Sequence, residues 1–120
     1  MAPPVQTSVW VGMVTDHATL EAALEVDESP CDGDALGSAF SRAAGQPVLG
    51  PVPRELKVLS TPTSSTSALL EGLSFRALLE ARLPADTQPP CNAIVVFYGA
   101  VGSAGTVELE GVRMRALLGD

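Results

Sequence analysis

Residues 25–34, EVDESPCDGD, put five carboxylates into ten positions with no basic side chain among them. Acids at that density can hold a divalent cation, work as a general acid and base, or present a field to a positively charged partner. The bland reading is a solvated loop. A calcium loop of the EF-hand kind needs acids at alternate positions, then a glycine and a closing bidentate glutamate. Here Asp32-Gly33-Asp34 supplies one alternating pair, Pro30 interrupts the segment, and no glutamate closes it. Glycoside hydrolysis by paired carboxylates usually has aromatic platforms for the sugar. This chain holds five aromatics, Trp10, Phe40, Phe75, Phe97 and Tyr98, and most are needed for packing.

The remaining candidates for chemistry are sparse. His17 is the single histidine, so any Ser-His-Asp or Cys-His arrangement would have to use it. It falls at the start of a helix, and no G-x-S-x-G elbow is present. Cys31 and Cys91 form no C-x-x-C pair. A zinc site would have to gather both of them, His17 and a carboxylate from distant segments, so packed thiols are the better reading. Gly99, Gly102 and Gly105 are spaced G-x-x-G-x-x-G, but the following TVELEGVRM reads as strand, whereas a dinucleotide site opens a helix. No catalytic, metal-binding or cofactor constellation emerges.

Charge is more telling. The net charge is −7, and residues 1–41 contain no Lys or Arg but seven acids: Asp16, Glu21, Glu25, Asp27, Glu28, Asp32 and Asp34. Residues 42–120 carry seven acids and seven bases, so the whole excess sits between residues 16 and 34. That distribution argues against nucleic-acid binding, which needs a basic face, and permits steering of a basic partner. Apolar residues make up 46% and charged ones 18%, a globular balance. At 120 residues the chain is expected to be one domain, 1–120, with residues 1–5 a flexible start. Met1-Ala-Pro-Pro lacks the basic region of a secretory signal, and the longest apolar run, Ala93 to Val101, is far short of the roughly 20 residues a membrane helix needs. A cytoplasmic protein with reduced thiols is expected.

The elements that must position these residues follow from periodicity. Gln6 to Met13 reads as a strand, with Val9 and Val11 on one face and Ser8, Trp10 and Gly12 on the other. Asp16 is placed to cap a helix over 17–25 with Leu20, Ala23 and Leu24 inward. Asp34 can cap a second helix through Ala44, with Leu36, Ala39, Phe40 and Ala43 inward and Gly45 as its end. Residues 46–53 are an extended connection and 55–59 a strand. STPTSSTS, 60–67, reads as a loop whose last hydroxyls cap a helix over 67–73. A further helix runs from Ser74 to Leu83 with Ala77, Leu78 and Ala81 as its stripe and Phe75 and Leu79 beside it. Asn92 to Tyr98 is the clearest strand, and 106–110 and 112–118 are two more, broken at Gly111. These elements predict an α+β domain: a mostly antiparallel sheet of about four to five strands with helices packed against it.

Taken in order, SVWVGMVTDHATLEAALEVDE, CDGDALGSAFSRAAGQ, LLEGLSF, CNAIVVFYG and RALLG resemble the immunity protein 22 family of bacterial polymorphic-toxin systems, over residues 7–119. The chain departs from that family at QPVLGPVPRELKV, where members are richer in aromatics and acids. The resemblance implies a cytoplasmic α+β protein, not an enzyme and without a cofactor, that binds and neutralises a toxin domain encoded beside it. Many such toxins are nucleases, whose substrate groove is basic. Glu25, Asp27, Glu28, Asp32 and Asp34 would then be the partner-binding set, mimicking phosphates. Trp10 is either an interface anchor or, as its place in a first strand favours, a core residue. The alternative from a different class is a small metal-dependent hydrolase or ligand-binding protein using the acidic loop. Self-association into a larger assembly is a third.

Overall fold

The computed structural model describes residues 7–25, 39–43, 54–74, 76–98 and 105–119. Strand β1, Thr7–Val14, is rich in the β-branched and aromatic side chains that pack well on a pleated surface. Helix α1, His17–Leu24, begins where expected because Asp16 caps it. The Asp16 backbone is extended (φ −163°, ψ 176°) and its carboxylate accepts the Thr19 N–H at 2.8 Å. The helix stops where Glu25 returns to extended backbone (φ −65°, ψ 128°). There follow helix α2, Ala39–Ala43; strand β2, Arg54–Ser65; helices α3, Thr66–Leu70, and α4, Arg76–Arg82; then strands β3, Asp86–Tyr98, β4, Thr106–Leu109, and β5, Val112–Gly119.

Among the described residues these strands form one curled sheet in the order β2-β3-β1-β5-β4, and every neighbouring pair is antiparallel. β2 pairs with β3 in an inner stretch, 54–58, and an outer one at Thr63 and Ser65, with register shifts between Val58 and Thr63 and again between Thr63 and Ser65. Counted separately, these bring the strands to six, beyond the four to five expected.

The period of two in β1 divides the core. Trp10 and Val14 point to one face, where they meet Ala93, Val95, Phe97, Val107, Val112 and Met114 of the sheet under Leu20, Ala23 and Leu24 of α1 and Phe40 of α2. Val9 and Val11 point to the other, with Ile94 and Val96, under Leu69 and Leu70 of α3 and Leu79 of α4. The unbroken run Ala93 to Phe97 is explained by this arrangement: this part of β3 is covered on both faces, so no position between 93 and 97 is left for a polar residue.

Asn92 breaks the regularity. Its side-chain amide donates to the Val14 carbonyl and accepts the Val14 N–H, both at 2.9 Å, so a side chain stands in for one rung of the β1–β3 ladder. The direct pairing of β1 with β3 ends at Gly12 opposite Ala93, two residues before Val14. Beyond this point Cys91 packs on the α3–α4 face although Ala93, two residues on, belongs to the α1 face.

Several expectations are corrected. STPTSSTS is not a loop: β2 runs through it to Ser65, and the exposed Pro62 is tolerated because β2 is an edge strand. Ser65 ends the strand and caps α3 at once, its hydroxyl accepting the Ala68 N–H at 3.2 Å. In α4 the exposed residues include Ala77 and Ala81, while Leu79 and, just past the helix, Leu83 are buried; the Leu78 side chain lies outside the described residues. Two leucines remove far more apolar surface from water than two alanines, and that sets the phase of the helix. Ala39 and Ala43 of α2 are likewise exposed, and Phe40 alone of the three carries its packing. Leu36, Gly45, residues 1–5 and the connection 46–53 lie outside the described residues.

Candidate partner-binding surface

Of the residues expected to meet a partner, Glu25 is exposed at the end of α1. Asp27, Glu28, Asp32 and Asp34 lie outside the described residues, as does Cys31. Trp10 is corrected as an anchor. It is 0% exposed, its indole N–H donates to the Ser8 hydroxyl at 2.8 Å, and its ring meets Phe40 edge-on at 5.4 Å. Phe40 in turn tilts against Phe97 at 5.8 Å. With its one polar atom satisfied and its ring enclosed, Trp10 has no surface to offer.

The acids of α1 are arranged by its geometry. Asp16 at the cap, Glu21 and Glu25 are all exposed, and Glu21 and Glu25 are four residues apart, one turn above the other. The hydrogen bond from the Thr19 backbone, with help from the neighbouring His17, holds the Asp16 carboxyl below the usual aspartate range, so it stays ionised at any physiological pH. His17 stands with its Nδ1 3.6 Å from Glu21 Oε1, both side chains more than half exposed, which is the geometry of a surface pair.

Beside this row lies a groove of about 560 Å³ between α1, α2 and the turn joining β4 to β5. Its alanines are Ala18, Ala22, Ala23 and Ala39, and its two carboxylates are those of Asp16 and Glu110. Among the described residues no lysine or arginine lines it. The turn is held against α1 by Gly111. The Gly111 carbonyl accepts the Thr15 N–H at 2.9 Å, its φ of +78° lies in the left-handed region, and an added Cβ would come 2.8 Å from the Thr15 hydroxyl. Sequence reasoning missed Glu110, because the second half of the chain is neutral in sum. The available signal was its place before the turn glycine of a hairpin that returns beside β1.

A second convergence of polar groups is structural. Glu55 of β2 accepts the Ser74 N–H at 3.1 Å, the Ser74 hydroxyl at 2.7 Å and the Tyr98 hydroxyl at 2.5 Å. Burial pushes its carboxyl up, but the bonds from Tyr98 and Ser74 together outweigh burial and hold it below the usual glutamate range. Burial, the bond to Glu55 and the charge of Glu55 push the Tyr98 phenol up, so it keeps its proton and serves as a donor. Lys57 donates to the Ala68 and Glu71 carbonyls at 3.1 and 2.7 Å, satisfying the open end of α3. These groups pin α3 and the turn before α4 to the edge of the sheet.

Among the described residues no three His, Cys, Asp or Glu side chains converge as metal ligands would, and no helix is long and apolar enough to cross a membrane. A comparison with family models, curated proteins and solved structures finds no match to this chain, so the resemblance to the immunity family rests on the quoted segments.

Proposed function

We propose that this chain is an immunity-type binding protein that captures and neutralises a basic protein, a bacterial toxin domain such as a nuclease, inside the producing cell. The observation that carries the reading is the segregation of charge. All of the net −7 is concentrated in residues 16–34, and the described members of that set, Asp16, Glu21 and Glu25, stand exposed on α1. A face of this kind speeds encounter with a basic groove and selects against acidic competitors. It asks for no metal and no cofactor.

The test is calorimetric titration of the purified protein with the toxin-like domain encoded beside it. Between about 0.1 M and about 1 M salt the screening length contracts from roughly 10 Å to roughly 3 Å, so binding through the acidic face weakens steeply. The charge reversal Asp32→Lys with Asp34→Lys should weaken it further while leaving the fold intact. Tight binding indifferent to salt would move the interface to an apolar face. Absence of binding at either salt, or loss of binding on adding a chelator, would sink the reading.

A further inference from the structure

We propose that the crossover carrying α3 and α4 is a lid: it leaves the sheet as one unit, about a tied base, and uncovers Cys91 and the apolar strip beneath while the sheet and the α1 layer stay folded. The base is closed on itself. The Thr66 N–H donates to the Ala85 carbonyl at 3.0 Å, the Thr66 hydroxyl donates to the Pro84 carbonyl at 2.6 Å, and Ser65 pairs with Asp86 across the two strands. Among the described residues no main-chain hydrogen bond joins the crossover to a strand beyond this base, so it can swing out without breaking a rung of the sheet. The base is also loosely filled: a cleft of about 450 Å³ opens there between the start of α3 and the end of α4, with Thr66, Leu83 and Pro84 in its walls. The Arg76 guanidinium donates to the Ser67 hydroxyl at 2.9 Å and ties α4 to α3, so the two helices move together. At the far end two side chains of β2 reach up as a latch. Lys57 holds the Ala68 and Glu71 carbonyls, and Glu55 holds the Ser74 N–H and hydroxyl. Three of these four bonds lie at the exposed surface, where water replaces them at small cost. Beneath them the closure is apolar, with Leu69, Leu70, Leu79 and Leu83 on Val9, Val11, Ile94 and Val96. The opposite face of the sheet keeps its own core around Trp10, Leu20 and Phe40, so loss of one layer does not remove the other. Cys91, 1% exposed, belongs to the cluster under the lid and reports when it lifts.

Thiol labelling of the full-length chain is the test. With Cys31→Ser as background, Cys91 is the one thiol left. Its labelling by a thiol reagent, followed by mass at a series of low urea concentrations, should depend on urea much less steeply than global unfolding followed by circular dichroism, because the lid exposes only part of the surface that unfolding exposes. Two variants then separate the layers. Glu55→Ala with Lys57→Met unfastens the latch and should speed labelling at least about tenfold. Leu20→Ala weakens the α1 layer, which is intact in both the closed and the open form, so it should lower the melting temperature yet leave labelling within about twofold. Labelling with the full urea dependence of unfolding, labelling speeded by Leu20→Ala as much as global unfolding is, or labelling unchanged by release of the latch would each overturn the lid. The urea dependence of the Cys31→Ser protein decides by itself if either variant fails to fold.

Discussion

Replacing Asn92 with alanine tests the fold at its least regular point. Asn92 is 8% exposed and its amide makes both hydrogen bonds to the backbone of Val14, which is itself 5% exposed. Asn92→Ala leaves a buried N–H and a buried C=O without those partners. Each orphaned group costs about 1–3 kcal/mol, so the two together cost about 2–6 kcal/mol, toward the lower end if water enters the small space vacated. Set against the roughly 5–15 kcal/mol that separates folded from unfolded states, this is a large share. At about 3–5 °C per kcal/mol for a domain of this size, the melting temperature should fall by about 6–30 °C. Asn92→Asp sharpens the test, because it keeps an acceptor for the Val14 N–H but turns a carboxylate toward the Val14 carbonyl. The folded state then favours the protonated acid, raising its pKa above the unfolded value of about 3.9. The penalty is therefore full at neutral pH and relieved as pH falls through the raised value. Urea denaturation followed by circular dichroism, at neutral pH and near pH 4, measures both variants. An alanine variant within about 0.5 kcal/mol of the parent would refute the claim that this amide completes the ladder.

Other sites give independent checks. Gly12→Ala should destabilise by several kcal/mol or abolish folding, because its Cβ would lie 1.9 Å from the Arg113 carbonyl oxygen and 2.6 Å from Met114 Cα, and only backbone can move to relieve it; soluble yield and thermal melting decide. Leu79→Ala should cost about 2–5 kcal/mol, whereas Ala81→Gln on the exposed side of α4 should stay within about 0.5 kcal/mol, and equal effects would reverse the phase assigned to that helix. The depressed carboxyl of Glu55 contributes stability that is present above the unfolded glutamate value of about 4.3 and lost as pH falls through the lower folded value. Glu55→Gln should flatten that part of the stability profile, a difference read from melts at stepped pH. Glu21→Lys with Glu25→Lys should leave the melting temperature nearly unchanged yet slow association with a basic partner, measured by stopped flow.

Legibility in the sequence varied with the physics of each element. β1 and α1 were readable almost residue by residue, because Val9 and Val11 against Trp10 give a clean period of two, and Asp16 carries a cap whose chemistry is local. The same holds for β4 and β5 around Gly111. The path through STPTSSTS was not readable, since serine and threonine suit a loop, a cap or an edge strand equally, and only pairing with β3 decides. The phase of α4 was ambiguous for a related reason: adjacent Leu78 and Leu79 with alanines at 77 and 81 admit two apolar stripes, and the surface packed against the helix chooses between them. The bridge from Asn92 to Val14 spans 78 residues and has no local signature. The groove was hidden because neither a row of alanines nor a neutral hairpin looks like a site until Gly111 brings Glu110 beside α1.

The acids on and beside α1 are not equivalent in what they report, and this bears on how any partner experiment is read. Asp16 both caps the helix and lines the groove, so its removal mixes about 0.5–2 kcal/mol of lost helix capping with any lost affinity. Glu21 has a protein partner in His17, but across an exposed gap of 3.6 Å that adds little to the fold. Glu110 sits at a turn whose geometry depends on Gly111 and on the Thr15 N–H, not on its own side chain. A surface evolved only for solubility would lose nothing specific on reversal of Glu110 or Glu21. A surface that holds a basic protein would lose affinity at those positions while its melting curve stayed in place. Glu110 and Glu21 therefore separate recognition from stability, and Asp16 by itself cannot.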